Sequence, residues 1–217
     1  MLFSLQKQFL FIHVQKTGGN AIETALAPCS ADTLRHSDMP GVEAASNPLR
    51  LRHLFATDIK PYFSDETWNS LFKFAFVRNP WARMLSWYNM ASRSKRPDHP
   101  FSAYVRTHAC TFEEFLSLTD GIAAKTLHNQ VDYISDRDGS VIVDFVGRFE
   151  NLTADFGTVC QTIGVSTALP PFHRTVVDYR AYYTDRTAEL IANRFARDIA
   201  KFGYVFDEQC SNTAYHQ

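Results

Sequence analysis

The chain has 217 residues and a formal net charge of −1, with 22 Lys plus Arg against 23 Asp plus Glu. No global field therefore draws it to nucleic acid or an anionic membrane, and any anion site has to be built locally. At 45% hydrophobic and 21% charged residues it reads as an ordinary globular protein, of a length that suits one domain over 1–217 with a substantial core.

The first element is Gln8 to Val14, an unbroken apolar run with aromatic and β-branched members, the pattern of a strand buried on both faces. Lys7 followed by QFLFIHV is too short for a secretory leader, and no apolar run approaches a membrane span, so a cytoplasmic location is expected. A helix over Asn20–Ala27 follows. Arg35 to Lys60 has weak periodicity and suits a long loop. Lys73 to Val77 (KFAFV) is a second buried strand, leading through Asn79-Pro80 into a helix over Trp81–Ala91, where Pro fits the first turn. Ser92 to Thr107 again suits a loop. Thr111 and Glu114 form a capping box ahead of Phe115 and Leu116.

Val141 to Phe149 (VIVDFVGRF) is the third strand candidate, its glycine marking a bulge or a close approach. Thr153–Ile163 puts Phe156, Val159, Cys160 and Ile163 on one helical face, and Asp185–Phe202 does the same with Ile191, Phe195, Ile199 and Phe202 before Gly203. Buried strands alternating with helices predict an α/β fold, a three-layer domain with a central parallel sheet flanked by helices. Cys29, Cys110, Cys160 and Cys210 show neither CxxC nor CxxH spacing, which speaks against a zinc site or a disulfide framework.

Chemistry concentrates at the end of the first strand. In Gln15-Lys16-Thr17-Gly18-Gly19-Asn20 the paired glycines let the backbone turn so that successive N–H groups converge on an anion, and the following helix adds its positive end. Lys16 supplies a full charge, while Thr17 and Asn20 supply side-chain donors. A metal-dependent nucleotide triphosphatase carries its lysine behind the glycines with a hydroxyl after it for Mg²⁺; here Lys16 precedes them. By itself the turn leaves kinases and sulfotransferases both open. Arg78, at the carboxyl end of the second strand, and Ser86, two turns into the next helix, supply a second candidate clamp for phosphate.

These two segments resemble the 5′-phosphosulfate loop and the 3′-phosphate segment of sulfotransferases that use 3′-phosphoadenosine 5′-phosphosulfate (PAPS), most closely the carbohydrate branch that includes the heparan sulfate 2-O-sulfotransferases. Asn129–Ile134, Asp144–Leu152 and Asp198–Phe206 extend the likeness over most of the chain. The resemblance implies a P-loop-like fold and transfer of a sulfuryl group from PAPS, without a metal, to the hydroxyl of a carbohydrate or other small acceptor. It implies that Lys16, Thr17, Gly18, Gly19, Asn20, Arg78 and Ser86 bind the donor, with Arg174 and Thr175 on a loop over its adenosine and 3′-phosphate. Lys16 would stabilise the leaving phosphate. Gln15 replaces the proline of relatives, and Asn20 and Ala21 stand where they hold hydroxyls.

The base is sought among His13, His36, His53, His99, His108, His128, His173 and His216, since an imidazole titrates nearest neutral pH. His53 lies in a stretch resembling the part of the branch that supplies a catalytic histidine. His13, inside a strand, reads as a hydrogen-bonded core residue. Gln130 and Tyr133 are candidates to face donor or acceptor, and Glu150 and Asn151 to tie the third strand to its helix. The other functions open to this sequence are a small-molecule kinase and a phosphonucleotide-binding module without turnover. Acceptor identity and oligomeric state leave no mark on it.

Overall fold

Strand formation starts at the amino end, where β1 (Leu2–Ser4) turns back through Leu5–Gln8 into β2 (Phe9–Ile12). The reversal is tight: Gln8 N–H donates to the Leu5 carbonyl at 3.3 Å, and Gln8 takes φ +49°. A computed structural model describes residues 1–29, 32–35, 52–94, 100–120, 127–171 and 178–207. Within them three further strands, β3 (Leu34–Arg35), β4 (Phe72–Val77) and β5 (Phe145–Arg148), complete a five-stranded sheet of order β3-β1-β2-β4-β5.

The sheet is mixed. β2, β4 and β5 run parallel, with Phe11 opposite Phe74 and Phe76 opposite Gly147, while β1 lies antiparallel to both β2 and β3. The expected parallel sheet holds for the three strands read from sequence, and β1 and β3 add an antiparallel edge to it. β1 and β3 span three and two residues, too short for a hydrophobic period to register.

The chain divides into two compact units, Met1–Val77 with Gln130–Arg174, and Arg78–Asn129 with Thr175–Gln217. The first unit holds the sheet. Phe9 and Phe11 of β2, with Phe74 and Phe76 of β4, meet α1 (Gly19–Leu26) through Ile22, Ala25 and Leu26. A later helix, Leu152–Thr162, covers the same face through Leu152, Phe156, Val159 and Cys160. On the opposite face Leu10, Ile12, Ala75 and Val77 are equally buried, so β2 and β4 have no solvent side, as their unbroken apolar runs require. Phe3 on that face meets Phe63 edge-on at 5.5 Å.

Between β3 and β4 the chain forms α2 (Ala56–Ile59), a 3-10 turn (Lys60–Tyr62) and α3 (Asp65–Ser70), the last capped by Ser64, whose Oγ accepts from Thr67 N–H at 3.2 Å. The loop expected over Arg35–Lys60 is thus partly helical; its segment 36–51 lies outside the described residues. Lys73 is a buried structural cation: its Nζ reaches Asp144 at 2.9 Å and the Leu71 carbonyl at 2.7 Å.

In the second unit α4 (Pro80–Arg93) begins where Asn79 Oδ1 accepts from Trp81 N–H at 3.1 Å and Ala82 N–H at 3.3 Å. The loop expected over Ser92–Thr107 gives way to the end of α4 and to α5 (Pro100–His108), which buries only Ser102 and Val105 and so shows little periodicity. α6 (Phe112–Leu118) has its capping box, with Glu114 N–H to Thr111 Oγ1 at 3.2 Å and Thr111 N–H to Glu114 Oε2 at 2.9 Å.

In the first unit α7 (Gln130–Ile134) precedes β5, and α8 (Leu152–Thr162) follows it through a 3-10 turn at Phe149–Asn151. The expected third strand is shortened at both ends, since Val141 forms only an isolated bridge to Ser135 and Phe149 starts the 3-10 turn.

The last expected helix is broken at Phe195 into α9 (Asp185–Arg194) and α10 (Ala196–Phe202). The Arg194 guanidinium binds the Leu116 carbonyl and Thr119 Oγ1, both at 3.0 Å, at the end of α6, where a cation complements the helix dipole. Among the described residues no helix is long and apolar enough to cross a membrane.

The close approach at Gly147 can be tested directly. A Cβ there would lie 2.4 Å from the Phe76 ring, so Gly147→Ala is expected to lower stability by about 1–3 kcal/mol in urea unfolding through overpacking of the β4–β5 pair.

Candidate functional site

The turn that links β2 to α1 contains two residues with left-handed backbones, Lys16 at φ +67° and Gly18 at φ +87°. A lysine gains nothing locally from this conformation, which costs about 1–2 kcal/mol. Such strain persists where surrounding structure imposes it, and it concentrates at functional turns. Thr17 is fully buried and its Oγ1 donates to the Val14 carbonyl at 2.8 Å, which closes the turn from within. Lys16 is half-buried and Asn20 exposed.

Both glycines are demanded by packing as well as by turning. A Cβ on Gly18 would stand 2.8 Å from Leu152 Cδ2, and one on Gly19 would stand 2.1 Å from His13 Nε2. Gly18 caps α1 without any side-chain hydrogen bond, and no acidic side chain occupies the first helical turn. Among the described residues, the N–H groups of Gly18, Gly19 and Asn20 donate no hydrogen bond within the protein. They make a short row of donors at the positive end of a helix, the arrangement that takes an anion.

Beside this turn lies a cluster of charged and titratable groups built on Glu23. Its Oε1 accepts from His13 Nδ1 and from the Met1 α-amino group, both at 2.8 Å, and from Arg52 Nε at 3.3 Å. Arg52 Nη2 makes a close contact with Oε2, so the guanidinium grips the carboxylate with two nitrogens. Burial pushes the Glu23 carboxyl up, but the hydrogen bonds from His13 and Arg52 and the nearby α-amino charge outweigh it and hold it well below the usual range. Since a carboxylate only accepts, His13 Nδ1 carries the hydrogen.

His53 joins the same cluster. Its Nδ1 lies 2.9 Å from the His13 carbonyl oxygen, and the two imidazole rings meet nearly edge-on with centroids 4.5 Å apart. A carbonyl also only accepts, so the His53 hydrogen is on Nδ1 and Nε2 keeps its lone pair. Burial first, then the neighbouring His13, lowers His53 to about 3; burial lowers His13 to about 4 against the support of Glu23, and it lowers the α-amino group to about 6. Both imidazoles are neutral at pH 7.

Of the residues singled out from sequence, Lys16, Thr17, Gly18, Gly19, Asn20 and His53 all fall in the first unit, and the His13 carbonyl that holds His53 is three residues ahead of Lys16. His13 is the hydrogen-bonded buried residue expected, 3% exposed. Arg78 and Ser86 belong to the second unit, both half-buried, Arg78 just ahead of the Asn79 cap and Ser86 two turns into α4. Arg174 and Thr175, like His36, His99, His173 and His216, lie outside the described residues. Gln130 and Tyr133 are fully buried in α7, and Asn151 Nδ2 binds Asp155 at 2.7 Å in the link from β5 to α8.

Glu23 and Arg52 belong to none of the motifs that the sequence displays. The available signal was a carboxylate at position 23, one turn after Gly19 and one before Leu26, on the buried side of an otherwise apolar helix face. Among the described residues no three His, Cys, Asp or Glu side chains gather as metal ligands.

Two comparisons bear on this geometry. The profile of the sulfotransferase family matches residues 1–204. An uncharacterized protein of Archaeoglobus fulgidus is 33% identical over 105 residues, which cover 48% of this chain and 78% of the relative.

The cluster has a definite acid sensitivity. His13 and His53 titrate near 6.5 when unfolded but near 4 and 3 when folded, so between about pH 4 and 6.5 the unfolded chain binds more protons and stability rises with pH. The depressed Glu23 carboxyl acts in the same direction at lower pH. The urea midpoint is expected to fall steadily as pH is lowered from 6.5 to 4, with a shallower fall in His53→Asn; a flat profile contradicts the assignment.

Proposed function

Because the chain belongs to the sulfotransferase family, we propose that it moves a sulfuryl group from PAPS to the hydroxyl of a carbohydrate or other small acceptor, with His53 as base and Lys16 at the leaving phosphate. The observation that carries this reading is the joining of an anion turn to an oriented histidine: His53 Nδ1 bonds the His13 carbonyl at 2.9 Å, just ahead of the strained Lys16 turn. A row of backbone donors, a cation and an imidazole that keeps its lone pair are the parts that in-line sulfuryl transfer uses.

In the proposed step His53 Nε2 takes the acceptor proton as the acceptor oxygen forms its bond to sulfur. The bond from sulfur to the bridging oxygen of the donor breaks, and its electron pair stays on the 5′-phosphate. Lys16, with the N–H groups of Gly18, Gly19 and Asn20, meets the charge that builds there, which favours the transition state over the ground state. The products are a sulfate ester and 3′-phosphoadenosine 5′-phosphate. His53 begins the cycle unprotonated, with its Nε2 lone pair available to the acceptor hydroxyl.

Arg78 and Ser86 are proposed to grip the 3′-phosphate, and Arg174 and Thr175 to close over the adenosine. Thr17 contributes through its backbone, its hydroxyl being committed to Val14. The family match spans both units, which supports treating 1–217 as one P-loop-like sulfotransferase domain. A metal-free reaction and a cytoplasmic location belong to the same proposal.

Thermal shifts separate this function from its competitors. The chain is expected to be stabilised more by 3′-phosphoadenosine 5′-phosphate than by ATP or AMP, and Arg78→Ala to erase that advantage; equal shifts for the three nucleotides rule the reading out. With labelled PAPS and a carbohydrate acceptor panel, Lys16→Ala and His53→Ala are each expected to lower kcat by about 10²–10⁴-fold. Full activity in either variant removes that residue from the step.

A further inference from the structure

We infer that Glu23 is a positioning residue that sets the base and the anion turn from one anchor. This rests on the reading of His53 as base but concerns a residue that touches neither donor nor acceptor in that reading.

Among the described residues, His53 is held by the His13 carbonyl and by two neighbours, the His13 ring and Arg52, that lead back to Glu23. The ring against which His53 leans belongs to His13, and that ring is held by Nδ1–H donation to Glu23 Oε1 at 2.8 Å. The residue before His53 is Arg52, whose side chain grips both oxygens of Glu23 and whose carbonyl accepts from the Met1 α-amino group at 3.0 Å. The other edge of the His13 ring lies where a Cβ on Gly19 would be, so the same carboxylate also fixes the ring that packs under the first turn of α1. Among the described residues, the charged and titratable groups bonded to Glu23 are His13, Arg52 and the α-amino group, all of them donors.

Replacement by glutamine would keep the shape and break the logic. One oxygen becomes an NH₂, which must face either the His13 Nδ1–H or the Arg52 guanidinium, donor against donor. His13 then relaxes its tautomer or Arg52 lets go, and in both cases His53 loses a neighbour that defines its orientation. Support of this kind behind a metal-bound histidine accounts for about 10–100-fold in affinity or activity, and the lower end of that scale is expected here.

The test combines a tautomer measurement with kinetics. In protein labelled with ¹⁵N-histidine, wild-type His53 should show a protonated Nδ1 and an unprotonated Nε2, and Glu23→Gln, by releasing His13 and with it the carbonyl that fixes this tautomer, should move both shifts toward a mixture. In sulfate transfer, Glu23→Gln should lower kcat by about tenfold with KM for PAPS within about twofold, and should add no further loss in a His53→Ala background. Arg52→Lys, which keeps the charge but not the two-nitrogen grip, should reproduce the tautomer mixing and the kcat loss, and it decides the matter if Glu23→Gln does not fold.

An unchanged His53 tautomer overturns the inference. So does a Glu23→Gln loss that multiplies with that of His53→Ala, since Glu23 would then act elsewhere. If the wild-type protein transfers no sulfate, the functional reading fails, and the tautomer result alone decides whether Glu23 positions His53.

Discussion

A carboxylate removed from water costs several kcal/mol unless its lone pairs are met, and Glu23, with a side chain 14% exposed, is met by three separate parts of the first unit. The Met1 α-amino group brings the start of β1, His13 brings the end of β2, and Arg52 brings the segment that precedes α2. The first two belong to successive strands, whereas Arg52 lies 51 residues from Met1. Satisfying one charge brings them together on one side of α1, and the turn at 15–20 is strung between His13 and Glu23 itself.

That convergence explains why the turn tolerates its backbone. Lys16 in a left-handed conformation is disfavoured by about 1–2 kcal/mol, and the glycines lie where any side chain would strike Leu152 or His13. The offset comes from β2, whose Phe9, Leu10, Phe11 and Ile12 are all fully buried, and from the closing bond of Thr17 to Val14. A strand with no freedom to shift ends at a turn with none either. The donors at the start of α1 are thereby held ready without needing to reorganise, which is what makes such a site effective toward developing charge.

The functional reading draws on both parts of this arrangement. Family membership is a statement about sulfuryl transfer in general; the proposed roles of Lys16 and His53 rest on the turn and on the hydrogen bond that leaves Nε2 of His53 with its lone pair. A histidine chosen from sequence among eight turns out to share an anchor with the anion turn. Its neutral state follows from burial, which removes the water that would otherwise stabilise the imidazolium.

What the sequence determined by itself is whatever depends on local pattern. The buried runs at 8–14 and 73–77, the proline start and capping box of the α4 and α6 helices, and the glycine turn behind Lys16 are all legible because their signals repeat within a few residues. Short or aperiodic elements were not: β1 and β3, the helices within the expected loops, and the break at Phe195 each depend on partners far along the chain. The same holds for the site. Lys16 and the glycines declare an anion turn from sequence alone, but Glu23 and Arg52 are 29 residues apart and carry no spacing rule. Only the tertiary structure could decide that their charges meet, because pairing a buried charge is a requirement on space and not on sequence.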